Sequence, residues 1–65
     1  MPEALLKRYW STGTRWCGLY DEDGIFELRL YDRARLVALW PCENSERAFE
    51  LAVVWRQRPP SWPPF

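Results

Sequence analysis

Apolar and polar positions alternate most clearly over residues 25–31, and this alternation predicts a strand with one buried face. The inward set is Phe26, Leu28 and Leu30, and the outward set is Ile25, Glu27, Arg29 and Tyr31. The Asp-Gly pair at positions 23 and 24 precedes the strand and is the strongest hairpin-turn signal in the chain. We therefore expect residues 25–31 to pair with the segment before that turn.

Two further segments have strand character. Residues 15–20 read Arg-Trp-Cys-Gly-Leu-Tyr, in which Gly18 marks a bulge or a close approach by another element. Residues 36–40 read Leu-Val-Ala-Leu-Trp and end at Pro41. This last segment is apolar on both faces, so either it is central in the sheet or one of its faces meets something else.

The spacing changes after Pro41, and a helix is predicted over residues 45–58. Asn44 or Ser45 is a suitable N-cap, and Pro59-Pro60 ends the helix. One face of this helix carries Ala48, Leu51, Ala52 and Trp55 at positions i, i+3, i+4 and i+7. We expect these residues to pack with Phe26, Leu28, Leu30 and the inward residues of the other two strands.

The predicted fold is α+β: a three-stranded antiparallel β-meander followed by one C-terminal α-helix packed on one face. The segment before Ser11 forms either a short helix or an extra N-terminal edge strand. Residues 1–58 make one small domain, and residues 59–65 form a Pro-rich tail. The tail is either a stiff terminus, a segment that docks through Trp62, or a ligand for an aromatic-groove domain.

Composition narrows the function classes. Nine basic residues balance nine acidic ones, and this neutrality disfavours a dedicated nucleic-acid binder. Only Lys7 among the basic residues is lysine, which we attribute to a GC-rich bacterial coding genome. No apolar run is long enough to cross a membrane, so we expect a cytoplasmic protein with no membrane partner. Cys17 and Cys42 are then free thiols.

The candidate chemistry does not favour an enzyme, a cofactor or a metal. The chain has no His, the commonest general base, and its three glycines lie apart from any helix start. Asp21-Glu22-Asp23-Gly24 lacks the remaining spacing of a calcium loop and reads as a hairpin turn. Cys42, just before the predicted helix, is retained as a redox or nucleophile alternative.

The sheet has more apolar surface than one helix can cover, and three hypotheses account for the second face. The N-terminal segment or the tail residues Trp62 and Phe65 cover it; it is an interface with a protein partner or in a homodimer; or it is a stacking platform for nucleic acid. We favour a small non-catalytic protein-interaction module that self-associates or binds a partner there. The candidate interaction residues are Trp16, Tyr20, Arg29, Tyr31 and Trp40.

The order meander-then-helix, with Gly13-Thr14-Arg15-Trp16 and Tyr20-Asp21-Glu22-Asp23-Gly24 leading in, resembles the N-terminal DNA-binding domains of phage-type integrases over residues 13–57. The resemblance implies DNA contact through the sheet face. Those domains are typically basic, whereas this chain is neutral and carries Glu27 on that face. We treat the resemblance as one of topology and transfer no residue roles.

Overall fold

The computed structural model describes residues 4–60. Its elements are β1 (Ala4–Thr12), β2 (Arg15–Glu22), β3 (Ile25–Asp32), β4 (Arg35–Cys42) and α1 (Ser45–Gln57). The four strands form one antiparallel meander in the order β1-β2-β3-β4, and α1 packs on one side of it. The predicted α+β class is confirmed, and the segment that was open between helix and strand is the extra edge strand β1.

Each hairpin of the meander turns in two residues, at positions 13–14, 23–24 and 33–34. Asp23 and Gly24 both have positive φ, at 56° and 82°, as the tight turns compatible with strand twist require. Arg33 and Ala34 also have positive φ, at 54° and 69°, without a glycine or asparagine to ease it. The third hairpin therefore carries backbone strain that the second avoids.

Contacts with the first hairpin support the strained turn. The Arg33 N–H donates to the Thr14 carbonyl oxygen at 3.0 Å, and the Thr14 hydroxyl donates to Asp32 Oδ1 at 2.5 Å. Arg15 Nε lies 3.5 Å from Asp32 Oδ2. The Thr14 hydrogen bond, with the nearby arginines, lowers the pKa of Asp32. These contacts join the first and third turns at one end of the sheet.

Strand β1 reaches the helix because it is irregular. Its pairing with β2 shifts between Leu5 and Lys7 and again between Arg8 and Trp10. The second shift directs the consecutive side chains of Tyr9 and Trp10 to the helix side. Tyr9 Oη donates to the Ser45 carbonyl oxygen at 3.1 Å, and Trp10 Nε1 donates to the Ala52 carbonyl oxygen at 2.7 Å. Both ends of the contact between β1 and α1 are thereby hydrogen-bonded.

Helix α1 begins where the sequence predicts. Asn44 is the N-cap, and its side-chain oxygen accepts from the Arg47 N–H at 2.9 Å. At the other end the Arg58 N–H donates to the Val54 carbonyl oxygen at 2.7 Å, just before the two prolines. The small Ala48 and Ala52 face the sheet and are fully buried, so the helix backbone lies close to it.

The core lies between α1 and the sheet. Its buried residues are Cys17, Leu19, Leu28, Leu30, Ala38, Ala48, Ala52 and Trp55. Phe26 and Leu51, predicted as core residues, are only partly buried and pack against this cluster. For Phe26 the reason is its position near the start of β3, opposite Cys42 at the end of β4. Leu51 lines a groove beside Trp40 and is therefore not enclosed on that side.

The third turn generates a stability prediction. Ala34→Gly should raise the free energy of unfolding by about 0.5–1 kcal/mol, because glycine adopts positive φ without a Cβ clash. The gain is smaller than the full relief of strain, because glycine also increases the entropy of the unfolded chain. Urea denaturation of the two proteins measures the difference.

The matched control is Gly24→Ala at the equivalent position of the second turn, where φ is 82°. It should lower the free energy of unfolding by about 1 kcal/mol. An Ala34→Gly variant that is less stable than the parent protein would contradict the strain assigned to this turn.

Candidate interaction surface

The side of the sheet opposite α1 is here called the open face. The strand register places its residues in three rows across the sheet, one residue from each strand. The rows, read from β1 to β4, are Leu5-Tyr20-Glu27-Pro41, Arg8-Gly18-Arg29-Leu39 and Ser11-Trp16-Tyr31-Leu36. Four of the five predicted interaction residues lie in these rows.

Three aromatic rings cluster on the open face. Trp16 and Tyr31 are cross-strand neighbours, and their rings stack with centroids 4.7 Å apart and planes 17° from parallel. The Tyr20 ring lies 6.3 Å from that of Trp16 and 6.1 Å from that of Tyr31. Ring pairs at these separations contribute more stabilisation than the burial of their surface area alone provides. The cluster is therefore a preformed apolar surface.

Because Gly18 has no side chain, it leaves room on the open face for the side chains of Trp16 and Leu5. A Cβ on Gly18 would lie 2.9 Å from the Trp16 ring and 2.9 Å from Leu5 Cδ1. The Arg8 guanidinium lies over the Trp16 ring at 4.4 Å. Trp16 thus lies between Arg8 of β1 and Tyr31 of β3, and the small residue in β2 makes this arrangement possible.

Arg29 occupies the centre of the open face and is only 5% exposed. Its Nη2 lies 2.7 Å from Glu27 Oε1 and 3.4 Å from Glu22 Oε1, and its Nε donates to Glu27 Oε1 at 3.0 Å. The guanidinium also lies 4.3 Å from the Tyr20 ring centroid. These contacts pair the cation with carboxylates on the same face, so the centre of the open face has little net charge.

Exposed aliphatic side chains surround the aromatic cluster. Leu5, Leu36 and Leu39 are 45%, 49% and 37% exposed, and Ile25 at the start of β3 is 57% exposed. These side chains make the periphery of the face apolar. The charges at its centre are paired, so the face as a whole is an apolar patch. An exposed apolar patch of this kind is typical of an interaction site.

Trp40, the fifth predicted residue, lies on the other side of the sheet. Its cross-strand partner is Leu28, a core residue on the helix side, and its own side chain is 58% exposed. It lines a groove between β4 and α1 together with Leu51 and Val54. The structure therefore separates Trp40 from the other four candidates.

Arg8 and Leu39 also lie on the open face but are not among the candidate interaction residues. Arg8 belongs to the segment left open between helix and strand, and Leu39 belongs to a strand that is apolar on both faces. The irregular pairing at Val37 explains the second case, because Leu36 pairs with Tyr31 whereas Ala38 pairs with Leu30. Leu36 and Leu39 are outward together, a combination that strict alternation does not produce.

Two parts of the chain were expected to cover the second face: the N-terminal segment, or the tail residues Trp62 and Phe65. Ala4–Thr12 extends the sheet as β1 and does not fold over the open face. The reason is that β1 pairs with β2, which satisfies the backbone groups on that side of the strand. Trp62 and Phe65, the other proposed cover, lie outside the described residues.

Neither cysteine has the environment of a nucleophile. Burial raises the pKa of the Cys17 thiol from 9.0 to about 12, with a smaller contribution from Cys42. Burial also raises the pKa of Cys42, against a smaller opposing effect of a hydrogen bond with the Leu28 backbone. The Cys42 thiol donates to the Trp40 carbonyl oxygen at 3.6 Å. Both pKa shifts favour the protonated, unreactive form at neutral pH.

These pKa shifts lead to two expectations: one for the reaction rate of the Cys17 thiol, and one for how the free energy of unfolding changes with pH. In Cys42→Ser at mildly alkaline pH, Cys17 should react with an aromatic disulfide reagent only as fast as the protein unfolds. The free energy of unfolding should fall as pH rises from 9.0 toward about 12, because the unfolded thiol loses its proton first. In Cys17→Ala this fall should be smaller. Rapid modification of Cys17 in the folded protein would show that the thiol is accessible and contradict the core assignment.

Among residues 4–60 there is no helix of the length and apolarity needed to span a bilayer, and no three Cys, Asp or Glu side chains are grouped closely enough to hold a metal ion. Comparison of the chain with protein-family models, curated proteins and solved structures finds no match, so the topological resemblance to integrase domains has no support from these comparisons.

Proposed function

We propose that this domain is a non-catalytic protein-interaction module that binds a partner protein through the open face of its sheet. The observation that carries the proposal is the three-ring cluster of Trp16, Tyr20 and Tyr31 on a face that no element among residues 4–60 covers. Aromatic side chains held rigidly at the centre of a patch are typical of the residues that dominate protein–protein binding energy.

The composition of the open face supports a protein partner. Its rows contain Trp, Tyr and Arg, which are enriched at the centres of protein interfaces, and no Lys, which is depleted there. Glu27 and Ser11 are the row residues of depleted types, and Glu27 is paired with Arg29. Leu5 and Leu36 are about half exposed and stand at opposite corners of the rows, where they would extend contact beyond the rings.

The charges of the open face support protein over nucleic acid as the partner. Arg29 is paired with Glu27 and Glu22, so a partner can cover it without leaving a buried charge unpaired. The same two carboxylates oppose a phosphate backbone, and the chain as a whole has no net positive charge to attract one. Stacking rings alone, without a cationic groove, do not make a single-strand binding platform.

The thiols support a non-catalytic role in a reducing compartment. The raised pKa values of Cys17 and Cys42 leave little thiolate at neutral pH, so neither residue is suited to nucleophilic catalysis. Both thiols are free, as expected for a protein that works in the cytoplasm, and we propose that location.

Site-specific photo-crosslinking, in the cells that naturally make this protein, tests the proposal. Leu5 and Ile25, exposed by 45% and 57% at the open face, are replaced one at a time with p-benzoylphenylalanine. Irradiation should join each variant to a discrete protein product, because the photoreactive ring takes the place of an exposed apolar side chain beside the aromatic cluster. Mass spectrometry then identifies the attached protein.

Phe49 and Val53, exposed by 55% and 40% on α1, serve as matched positions away from the open face. The products should be absent or much weaker when the reagent is placed there. Equal products from both pairs of positions, or no intermolecular product from Leu5 and Ile25, would overturn the proposal. Oligonucleotide binding that weakens steeply with salt would instead establish the nucleic-acid alternative.

A further inference from the structure

On the helix side of the sheet, a groove runs between β1 and α1 and is called here the β1–α1 groove. Strand β1 contributes Tyr9 and Trp10 to its lining, and α1 contributes Phe49, Val53 and, from its last turn, Gln57. Phe49 and Val53 lie four residues apart, on one side of the helix, and are 55% and 40% exposed. The groove therefore offers an apolar wall that reaches the end of α1.

The aromatic rings of the β1–α1 groove are held in fixed positions. The Tyr9 and Phe49 rings meet edge to face, with centroids 5.7 Å apart and planes at 61°. The Tyr9 hydroxyl donates to the Ser45 carbonyl oxygen, and Trp10 Nε1 donates to the Ala52 carbonyl oxygen. Because these polar atoms are already paired with α1, the two β1 residues offer an occupant ring surface.

A second groove, between β4 and α1, suits an uncharged occupant less well. Its lining contains three charged residues, Glu43, Arg47 and Glu50, and extends along α1 only as far as Val54. Among the described residues that line the β1–α1 groove, Arg56 alone is charged. Of these two grooves, the β1–α1 groove is thus the more apolar and the one that adjoins the last turn of the helix.

The segment that follows α1 has the composition that such a groove takes. Residues 59–65 read Pro-Pro-Ser-Trp-Pro-Pro-Phe, with four prolines and no charged residue. Proline-rich segments favour the polyproline II conformation, which is ordered at low entropic cost, and they dock in aromatic-lined grooves. This conformation has three residues per turn, so Trp62 and Phe65 would project from one side of it.

The length of the tail matches the length of the groove. From Gln57 back to Phe49, α1 rises about 12 Å at 1.5 Å per residue. From Pro59 to Phe65, a polyproline II segment spans about 19 Å, which leaves about 7 Å for the chain to reverse direction. Pro60 is partly buried whereas residues 56–59 are exposed, so contacts within the protein resume where the tail begins.

We propose that residues 61–65 occupy the β1–α1 groove of their own chain and run back along α1, with Trp62 beside Val53 and Phe65 beside Phe49. Attachment of the tail at the end of the groove makes this binding intramolecular, at an effective concentration on the order of millimolar. The groove and the open face are on opposite sides of the sheet. The inference therefore leaves the open face free and does not depend on the proposed function.

Nuclear Overhauser contacts in the isotope-labelled full chain test the placement of the tail. The Trp62 ring protons should show contacts with the Val53 methyl groups, and the Phe65 ring should show contacts with that of Phe49. Val54 is the matched control, because it is 51% exposed and lines the groove on the β4 side of the helix. It should show no contact with the tail.

Two charged variants test whether the groove holds the tail. Val53→Glu should release the tail, because a carboxylate in the groove would lose water to an uncharged segment. The heteronuclear NOE values of the Trp62 and Phe65 amides, which report motion on the picosecond to nanosecond timescale, should fall from those of α1 to near zero. Val54→Glu adds the same charge one residue along the helix and should leave them unchanged.

Several results would overturn the proposal. Contacts of Trp62 with Val54, or with Leu36 and Leu39 of the open face, would place the tail elsewhere. Tail amides that have NOE values near zero in the parent protein, or that respond equally to both variants, would show that the groove does not hold it. Contacts seen only between labelled and unlabelled chains in a mixed sample would assign the groove to the tail of a second copy. Circular dichroism establishes that both variants are folded.

Discussion

The thirteen-residue helix α1 can cover only one side of the four-stranded sheet to which it is attached. Its fully buried Ala48 and Ala52 bring the helix close to Leu28 and Leu30, and these contacts use the apolar side chains on one side of the strands. The apolar side chains on the other side have no such cover among residues 4–60. The open face and the function proposed for it both follow from this one limit on burial.

Irregular strand pairing adapts the sheet to that limit. At Tyr9 and Trp10 it directs two consecutive aromatic residues to the helix, where each donates a hydrogen bond to a backbone carbonyl oxygen. At Val37 it turns Leu36 and Leu39 outward together. On the open face, the pairing of Arg29 with Glu27 allows a buried cation to lie against the Tyr20 ring. The domain thus has a core on the helix side of the sheet. On the other side it has a second apolar surface, where the charge of Arg29 is paired with a carboxylate.

The sequence predicts the regular parts of this structure and misses the irregular ones. Alternation locates β3 within one residue, and the Asp-Gly pair locates its turn, because both signals depend only on local geometry. The segment that became β1 remained ambiguous because Leu5-Leu6 and Tyr9-Trp10 break the alternation at its irregular pairings. Trp40 was grouped with the open face for the same reason, since the irregularity at Val37 changes which residues share a side. Burial of Arg29 depends on packing of three strands, which no local pattern reports.

Selective broadening of the tryptophan and leucine NMR signals by a soluble paramagnetic agent, in dilute protein, tests this division of surfaces most directly. The account predicts strong broadening for the Trp40 indole and the Leu36 and Leu39 methyl groups, which are exposed. It predicts little for the Trp10 indole N–H, which donates to Ala52, and for the buried Trp55. Protection of Leu36 and Leu39 in the dilute monomer would show that the chain fills its own second face and would contradict the account.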